Sequence, residues 1–190
     1  MRIIAGLYRG RTLKTLRGLE LRPTSDRLRE TLFDVLGSTV EGSLFIDAYA
    51  GSGAVGLEAL SRGARHVSFI EENAAAGRII QANLASLDAL DHADIIRASV
   101  RKGLRLLQER GVQADFCFLD PPYAARRDYA QSLLWLSESR IIAPDGLIIL
   151  QHSRKEALEE QTGRCLRVRL LAQGSNALSF YKIRATMSEK

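Results

Sequence analysis

The chain has 190 residues, of which 46% are hydrophobic and 26% are charged, fractions typical of an ordinary globular protein. This composition excludes disordered, fibrous and membrane-spanning chains, and the absence of a long apolar run predicts a cytoplasmic protein. The net charge of +5 lies within residues 1–30, which hold eight cationic and three acidic side chains. Seven of the eight cations are arginines, whose planar guanidinium groups match phosphates, so a nucleic acid is the expected partner.

The first forty residues differ from the rest of the chain. Short β-like runs surround Gly6 and Gly10, and a helix follows for which Thr24, Ser25 or Asp26 can supply the N-cap. Its apolar residues recur at helical spacing and predict a face packed against the core: Leu28, Leu32, Phe33 and Leu36. The sequence therefore predicts a small basic β extension and a helix ahead of the main sheet.

From Leu44 onward, apolar strand-like runs alternate with helix-like segments. The predicted strands are 44–48, 66–72, 93–98, 114–120 and 146–152, and the predicted helices are near 53–63, 74–87, 101–110 and 129–139. Such alternation is typical of parallel strands joined by right-handed crossovers, and thus of a doubly wound α/β sheet. Two further β-rich runs, 165–173 and 177–185, are separated by Gly174, Ser175 and Asn176 and predict a closing hairpin.

A glycine-rich segment follows the first predicted strand. Residues 47–56 contain the pattern G-x-G-x-x-G at Gly51, Gly53 and Gly56, between a strand and a helix. Glycines at these positions permit a tight turn and let a ligand approach the backbone at the helix N-terminus. Glu71 lies at the end of the second predicted strand, where a carboxylate can bind both hydroxyls of a ribose. This pattern alone favours NAD and S-adenosylmethionine about equally.

The fourth predicted strand runs directly into Asp120, Pro121, Pro122 and Tyr123, at the end where open α/β sheets bind ligands. Two prolines fix the backbone and remove two amide donors, so the Asp120 carboxylate and the nearby carbonyls form a rigid set of acceptors. Acceptors suit an exocyclic amine, because hydrogen bonds from its N–H groups direct the nitrogen lone pair toward an electrophile. Tyr123 can then stack on an unpaired base. This arrangement favours S-adenosylmethionine over NAD.

The two motifs resemble those of class I S-adenosylmethionine-dependent amino-methyltransferases, and the RNA small subunit methyltransferase D family is the most similar branch. The resemblance rests on residues 2–13, 22–36, 50–64, 118–123 and 178–183. It implies a Rossmann-like methyltransferase domain, residues 41–190, preceded by an RNA-binding extension, residues 1–40. The implied reaction methylates the exocyclic N2 amine of a guanine in 16S ribosomal RNA, free or within a small-subunit particle, with the enzyme acting as a monomer.

The motifs and the resemblance together assign expected roles to individual residues. The expected catalytic residues are Asp120, Pro121, Pro122 and Tyr123. The expected cofactor contacts are Asp47, Ala50, Gly51, Ser52, Gly53, Gly56, Glu71, Ser99, Val100 and Asp120. The expected RNA contacts are Arg9, Arg11, Arg22, Thr24, Arg27 and Tyr123. Asp120 and a backbone carbonyl would orient the target amine, while Glu71 would anchor the cofactor ribose.

The chain departs from the family at the ends of two strands. Ser99 and its neighbours stand where the family commonly has an acidic residue near the adenine, so backbone amides or apolar packing should hold that ring. Gln151 and the two residues after it stand where another acidic residue is common, so no catalytic task is expected at this end. The histidines and cysteines lack metal-ligand spacing, and no metal site is predicted.

Three other functions are compatible with parts of the sequence. A DNA adenine-N6 methyltransferase could use the same acceptors, although the chain has no insert large enough for a DNA recognition domain. An NAD-dependent oxidoreductase would leave Pro121 and Pro122 without a role and lacks an obvious pair of proton-transfer residues. An RNA-binding assembly factor without turnover is favoured only if Ser99 abolishes cofactor binding.

Overall fold

The fold is that of a computed structural model, which describes residues 1–15, 25–121 and 126–184, without the side chains of 126–128. The chain forms two compact units, Met1–Leu106 and Leu107–Lys190. Each unit contains its own set of strands and helices. The sequence-based division into residues 1–40 and 41–190 stays a prediction.

The first unit combines a short N-terminal hairpin with parallel strands and helices. In the hairpin, Arg2 and Thr12 form an isolated antiparallel bridge. The elements that follow are α1 (Asp26–Leu36), β1 (Leu44–Ala48), α2 (Ala54–Ser61), β2 (His66–Ile70), α3 (Ala74–Ser86), β3 (Ala93–Ile96) and α4 (Val100–Glu109), with α4 running across the unit boundary. Strand β2 lies between β1 and β3 and pairs with both in parallel.

Helix α1 begins and packs as the sequence predicts. Of the three capping candidates, the described residue Ser25 supplies the cap, since its Oγ accepts a hydrogen bond from the Leu28 amide at 3.2 Å. The predicted apolar stripe is buried: Leu28, Leu32, Phe33 and Leu36. Arg29 is buried on the same helix. The face that packs on the core is therefore apolar except for one guanidinium group.

Helix α2 is buried along its whole length, including the polar residues Glu58 and Ser61. The Glu58 carboxylate accepts hydrogen bonds from the amides of Ile4, at 2.8 Å, and Ala5, at 3.0 Å. The Ser61 hydroxyl oxygen accepts one from the Tyr8 amide at 3.0 Å. These side chains satisfy backbone donors that a short hairpin leaves unpaired. The N-terminal hairpin is thus attached to α2 by hydrogen bonds from its backbone amides to the side chains of Glu58 and Ser61.

The second unit carries a mixed set of strands. Its elements are β4 (Ala114–Leu119), α5 (Arg126–Glu138), β5 (Ile142–Ser153), β6 (Gln161–Thr162), β7 (Cys165–Gln173) and β8 (Asn176–Ile183). Strand β5 pairs in parallel with β4 and antiparallel with β8, and β7 pairs antiparallel with both β8 and β6. The predicted C-terminal hairpin is therefore confirmed, whereas the two-residue strand β6 was not predicted.

The predicted start of the fifth strand is wrong by four residues. The sequence Pro144-Asp145-Gly146 predicts a turn before a strand, but β5 already begins at Ile142. Ala114 pairs with Ile142 and Phe116 pairs with Leu147, so the register shifts between these two pairs. Because proline has no amide proton to donate to a ladder, the residues around Pro144 bulge out of the sheet within the strand.

Candidate functional site

The glycine-rich loop of the first unit follows β1 and leads into α2. Tyr49, Gly51 and Gly53 all have positive φ angles, of 64°, 56° and 80°. A left-handed conformation is uncommon for tyrosine and costs conformational energy, so it marks this loop as a candidate functional segment. A Cβ atom added at Gly51 would meet no atom of the described residues within 4 Å, apart from those of its two chain neighbours. The backbone at Gly51 therefore borders open space in which a ligand can approach it.

Glu71 connects this loop to the end of β2. Its Oε2 accepts a hydrogen bond from the Gly51 amide at 2.7 Å, and its Oε1 accepts one from the Asn73 amide at 2.7 Å. Glu71 is half-buried. Because a carboxylate has about four acceptor positions, these two bonds leave capacity for further donors such as ribose hydroxyls.

Asp47 is also an acceptor beside the loop, but it is buried. Its Oδ2 accepts a hydrogen bond from the Gly56 amide at 2.8 Å, in the first turn of α2. A Cβ atom at Gly56 would lie 2.3 Å from the ring of Phe69, so only glycine lets α2 pack this closely on β2. Asp47 and Gly56 therefore support the start of the helix, and any direct cofactor contact by them stays a prediction.

Apart from Asp120, which lies in the second unit, the other residues expected to bind the cofactor lie in the same unit. The Ala50 amide donates to the Ile70 carbonyl at 3.0 Å, and the Ser52 carbonyl accepts a hydrogen bond from Asn83 at 3.4 Å. Ser99 is half-buried and its carbonyl accepts the Gly103 amide at 2.9 Å. Val100 begins α4 and is buried. How Ser99 and Val100 would contact an adenine therefore stays a prediction.

Asp120 stands at the end of β4 in the second unit. The strand itself is buried almost throughout, whereas Asp120 is half-buried and Pro121 is buried. The Asp120 Oδ2 accepts a hydrogen bond from Gln151 Nε2 at 3.0 Å. Pro122 and Tyr123 lie outside the described residues. The arrangement holds a carboxylate at the carboxyl end of a parallel strand, where open α/β sheets bind ligands.

Gln151 is a residue of this site that sequence reasoning missed, since no task was expected at the end of the fifth strand. Leu119 pairs with Leu150, so Asp120 and Gln151 follow directly in register on neighbouring strands. The Gln151 carbonyl accepts a hydrogen bond from the buried Tyr129 hydroxyl at 3.1 Å. The one available signal was a polar residue directly after the apolar run 147–150 of the strand next to β4.

His152, the next residue, is buried and has a lowered pKa. Burial is the main cause, because it disfavours the charged ring, and the positive charge of Arg167 acts in the same direction. The hydrogen bond to the Ser153 carbonyl and the negative charge of Glu156 oppose the shift. The ring also lies 2.9 Å from the Ser179 hydroxyl through Nε2. The folded state therefore favours the neutral form of the His152 ring.

This pKa shift predicts acid sensitivity of the fold. In the unfolded chain His152 takes up a proton near its ordinary pKa of 6.5, whereas the folded protein resists protonation until a lower pH. We expect the free energy of unfolding to be highest above pH 6.5 and to fall as the pH drops through the region below it. Urea denaturation of wild type and His152→Gln at pH 7.5 and pH 5.5 measures this, and an equal pH dependence in both proteins would contradict it.

The residues expected to contact RNA are exposed wherever the structure describes them. Arg9, Arg11 and Arg27 are exposed, and Arg11 also donates a hydrogen bond to the Ser86 carbonyl at 2.6 Å. Arg22 and Thr24 lie outside the described residues. Exposure is necessary for phosphate contact but does not demonstrate it, so these RNA contacts stay predictions.

Arg29 differs from the other described N-terminal cations, because it is completely buried. Its Nη2 donates to the Arg2 carbonyl at 2.6 Å and to Asp26 Oδ1 at 3.1 Å. Its Nε lies 3.5 Å from Glu58 Oε2, and Glu58 Oε1 also accepts from Arg62 Nε at 2.9 Å. Arg29 therefore belongs to an internal ion-pair network and is not available to a polyanion. Sequence reasoning missed this network because its members are far apart in the chain.

Metal sites and membrane-spanning helices are two further features that could indicate function. Within residues 1–15, 25–121 and 126–184, no group of three or more histidine, cysteine, aspartate or glutamate side chains is placed to hold a metal ion. Among the helices of those same residues, none is both long enough and apolar enough to cross a bilayer.

Sequence comparison relates the whole of this architecture to one family. The family described as conserved hypothetical protein 95 matches residues 1–182. Ribosomal RNA small subunit methyltransferase D of Haemophilus influenzae is 37% identical over 159 residues, which are 83% of this chain and 81% of that protein. The protein of the same name from Escherichia coli K12 is 36% identical over 156 residues, 82% of this chain and 76% of that protein. The chain belongs to the ribosomal RNA small subunit methyltransferase D family.

Solved structures agree with this membership. A hypothetical protein of Thermus thermophilus matches with a TM-score of 0.81 and 30% identity, covering 96% of this chain and 99% of that one. An RNA methyltransferase from Salinibacter ruber, in complex with S-adenosyl-L-homocysteine, matches with a TM-score of 0.65 and 12% identity over 88% of this chain and 97% of that one. At that identity the second match shows the fold alone. The resemblance to the methyltransferase D family and the expected Rossmann-like fold are both confirmed.

Proposed function

We propose that the chain transfers a methyl group from S-adenosylmethionine to the exocyclic N2 amine of a guanine in 16S ribosomal RNA. The observation that carries this proposal is the half-buried Asp120 carboxylate, which follows a buried parallel strand, precedes a proline and is held by Gln151. Two relatives named for small-subunit ribosomal RNA support the substrate. A protein of the same fold that holds S-adenosyl-L-homocysteine supports the methyl donor.

The residues of the first unit fit such a cofactor. The Gly51 backbone borders open space, and Glu71 retains acceptor capacity at the end of β2. We assign Glu71 to the ribose hydroxyls, the loop residues Ala50, Ser52 and Gly53 to the remainder of the nucleoside and its amino-acid tail, and Ser99 and Val100 to the adenine. S-adenosylmethionine supplies an electrophilic methyl group on a positively charged sulfur when it is bound.

The residues of the second unit fit the amine that accepts the methyl group. An exocyclic amine is a poor nucleophile, because its lone pair is conjugated with the ring. Asp120 accepts a hydrogen bond from the amine and a nearby backbone carbonyl accepts the other, so that the lone pair is directed out of the ring plane. Pro121 lacks an amide proton, so its own backbone adds no donor that competes with the amine for these acceptors. Holding the amine and the methyl donor in reactive geometry can lower the activation free energy by about 7–11 kcal/mol.

The N-terminal extension is proposed to hold the RNA. Arg9, Arg11 and Arg27 are exposed cations, and Arg22 and Thr24 are assigned to the same surface from the sequence alone. Tyr123 is assigned to stacking on the target base, with Pro122 fixing the backbone before it. We further propose that a monomer in the cytoplasm acts on the ribosomal RNA, either free or within a small-subunit particle.

This proposal predicts how RNA affinity depends on salt. Each phosphate contact contributes a slope of about 0.7 to 0.9 in a plot of log affinity against log salt. Replacing both Arg9 and Arg11 by alanine should therefore flatten the slope by roughly 1.4 to 1.8 and weaken binding most at low salt. The matched control replaces both residues by lysine, which keeps the charge and should keep the slope. An alanine pair with the wild-type slope would refute the phosphate contacts.

Mapping of the modified nucleotide tests the proposed reaction itself. Small-subunit ribosomal RNA from cells that lack the gene should lose one N2-methylguanosine in mass spectrometry, and the wild-type gene should restore it. The gene encoding Asp120→Ala should not restore it, although the protein accumulates normally. A lost N6-methyladenosine, or an unchanged RNA, would contradict the proposed substrate.

A further inference from the structure

Gln151 has one hydrogen-bonding atom without a partner among the described residues. Its Nε2 donates to Asp120 Oδ2 at 3.0 Å, but its Oε1 is buried and receives no hydrogen bond from residues 1–15, 25–121 or 126–184. The residue as a whole is only 6% exposed. Buried acceptors without a donor are uncommon in folded proteins, and each one calls for an explanation. A donor brought by a ligand would supply the missing partner.

The orientation of this amide follows from the chemistry of its neighbour. The Asp120 carboxylate only accepts hydrogen bonds, so the NH₂ group of Gln151 must face it. Turning the amide over would place two acceptors against each other. Oε1 is therefore the amide atom that lacks a hydrogen-bond partner among the described residues, and it belongs to the same planar amide that contacts Asp120. Because Asp120 is half-buried, a base that reaches its carboxylate arrives beside Gln151.

Guanine and adenine differ at the ring atom next to the amine that would be methylated. In guanine the neighbouring N1 carries a proton and donates a hydrogen bond. In adenine the N1 next to the exocyclic amine has no proton and accepts one. An acceptor beside Asp120 thus complements guanine, whereas against adenine it would face another acceptor and stay unpaired. Sites that leave a buried polar group unpaired reject the wrong substrate strongly.

We propose that Gln151 is a specificity-determining residue, whose Oε1 accepts the N1 proton of the target guanine while its Nε2 holds Asp120 against the amine. This inference rests on the proposed N2 methylation of guanine and adds how the base is selected. It assigns a task to the strand end at which the sequence predicts none.

Substitution of a single base in the RNA tests this proposal. The probe is 2-aminopurine, which keeps the C2 amine of guanine but has no proton on N1. A small-subunit ribosomal RNA segment carries either base at the mapped position, and single-turnover methylation rates are measured for both. We expect wild-type protein to methylate guanine at least about tenfold faster than 2-aminopurine.

Two variants separate the roles of the two amide atoms. Gln151→Met is similar in shape but makes no hydrogen bonds, so the preference for guanine should fall to within about threefold. Gln151→Glu keeps an acceptor at the same place and should keep the preference even where its absolute rate is lower. The oxygen O6 is absent from 2-aminopurine in every assay, so its effect cancels when the ratios of the three proteins are compared.

The possible outcomes are distinguishable. A methionine variant that keeps the wild-type preference would overturn the proposal, as would loss of the preference in both variants. Thermal unfolding checks that each variant is folded, and Gln151→Asn, which withdraws the amide by one methylene, repeats the test if the methionine variant is unstable. Wild-type protein that methylates no guanine would instead refute the proposed function.

Discussion

Asp120→Ala is expected to lower the single-turnover rate of methylation at least about a hundredfold, with S-adenosylmethionine affinity within about twofold of wild type. The reason is the division of roles: Asp120 is assigned to the target amine, whereas Glu71 and the glycine-rich loop are assigned to the cofactor. Loss of a preorganised acceptor raises the barrier to the chemical step without changing the binding of the methyl donor. Calorimetry and rapid-quench kinetics on the same preparations measure both quantities.

Two further variants make this result specific. Glu71→Ala should show the reverse behaviour, because loss of charge-assisted hydrogen bonds corresponds to about 10- to 150-fold weaker cofactor binding. Asp120→Asn keeps one carbonyl acceptor in nearly the same shape, so its rate should lie between those of wild type and Asp120→Ala. If Asp120→Ala lost cofactor affinity as severely as Glu71→Ala, the assigned roles would be wrong.

Glu58→Ala should destabilise the fold by about 3–5 kcal/mol, which is the usual cost of leaving one member of a buried ion pair uncompensated. Both side chains of the Arg29–Glu58 pair are completely buried. The same carboxylate also accepts the Ile4 and Ala5 amides, which would lose their acceptor with it. Equilibrium unfolding in guanidinium chloride measures the loss as a lower midpoint.

Asp26→Ala is the matched control for this effect. Asp26 contacts the same guanidinium group at 3.1 Å, but its side chain is 54% exposed. Water screens and replaces such a contact, so its removal should cost about 1 kcal/mol or less. A similar small cost for Glu58→Ala would show that the buried network contributes little to stability.

Local patterns in the sequence were sufficient to predict most of the helices and strands. Strands β1, β2 and β4 are short apolar runs that are buried almost throughout, as is typical of parallel strands covered on both faces. Strand β3 is equally short but partly exposed. The stripe on α1 was equally clear, since its spacing matches a helix. The start of β5 was wrong because Pro144 ends a ladder in most contexts, whereas here the strand resumes after a bulge. Whether it resumes depends on Ala114 and the neighbouring strand, which local sequence does not show.

The candidate site was predictable only in part. The positions of Glu71 and Asp120 follow from the rule that ligands bind at the carboxyl ends of parallel strands. The contact between Asp120 and Gln151 does not follow from that rule. Gln151 lies 31 residues further along the chain and comes beside Asp120 through strand pairing. Arg29 was counted among the N-terminal cations that favour a nucleic-acid partner for the same reason, since its partner Glu58 lies on another helix. Pairings of this kind depend on tertiary structure rather than on spacing.

The attachment of the N-terminal hairpin to α2 has a consequence for how the protein is made. Synthesis proceeds from the N-terminus, so the amide of Ile4 leaves the ribosome 54 residues ahead of its acceptor, Glu58. Until α2 has emerged, the hairpin lacks both Glu58 and the Ser61 hydroxyl that accepts from Tyr8. The most basic stretch of the chain is therefore synthesised before its anchors, which are Glu58 and Ser61 on α2 and Asn83 on α3.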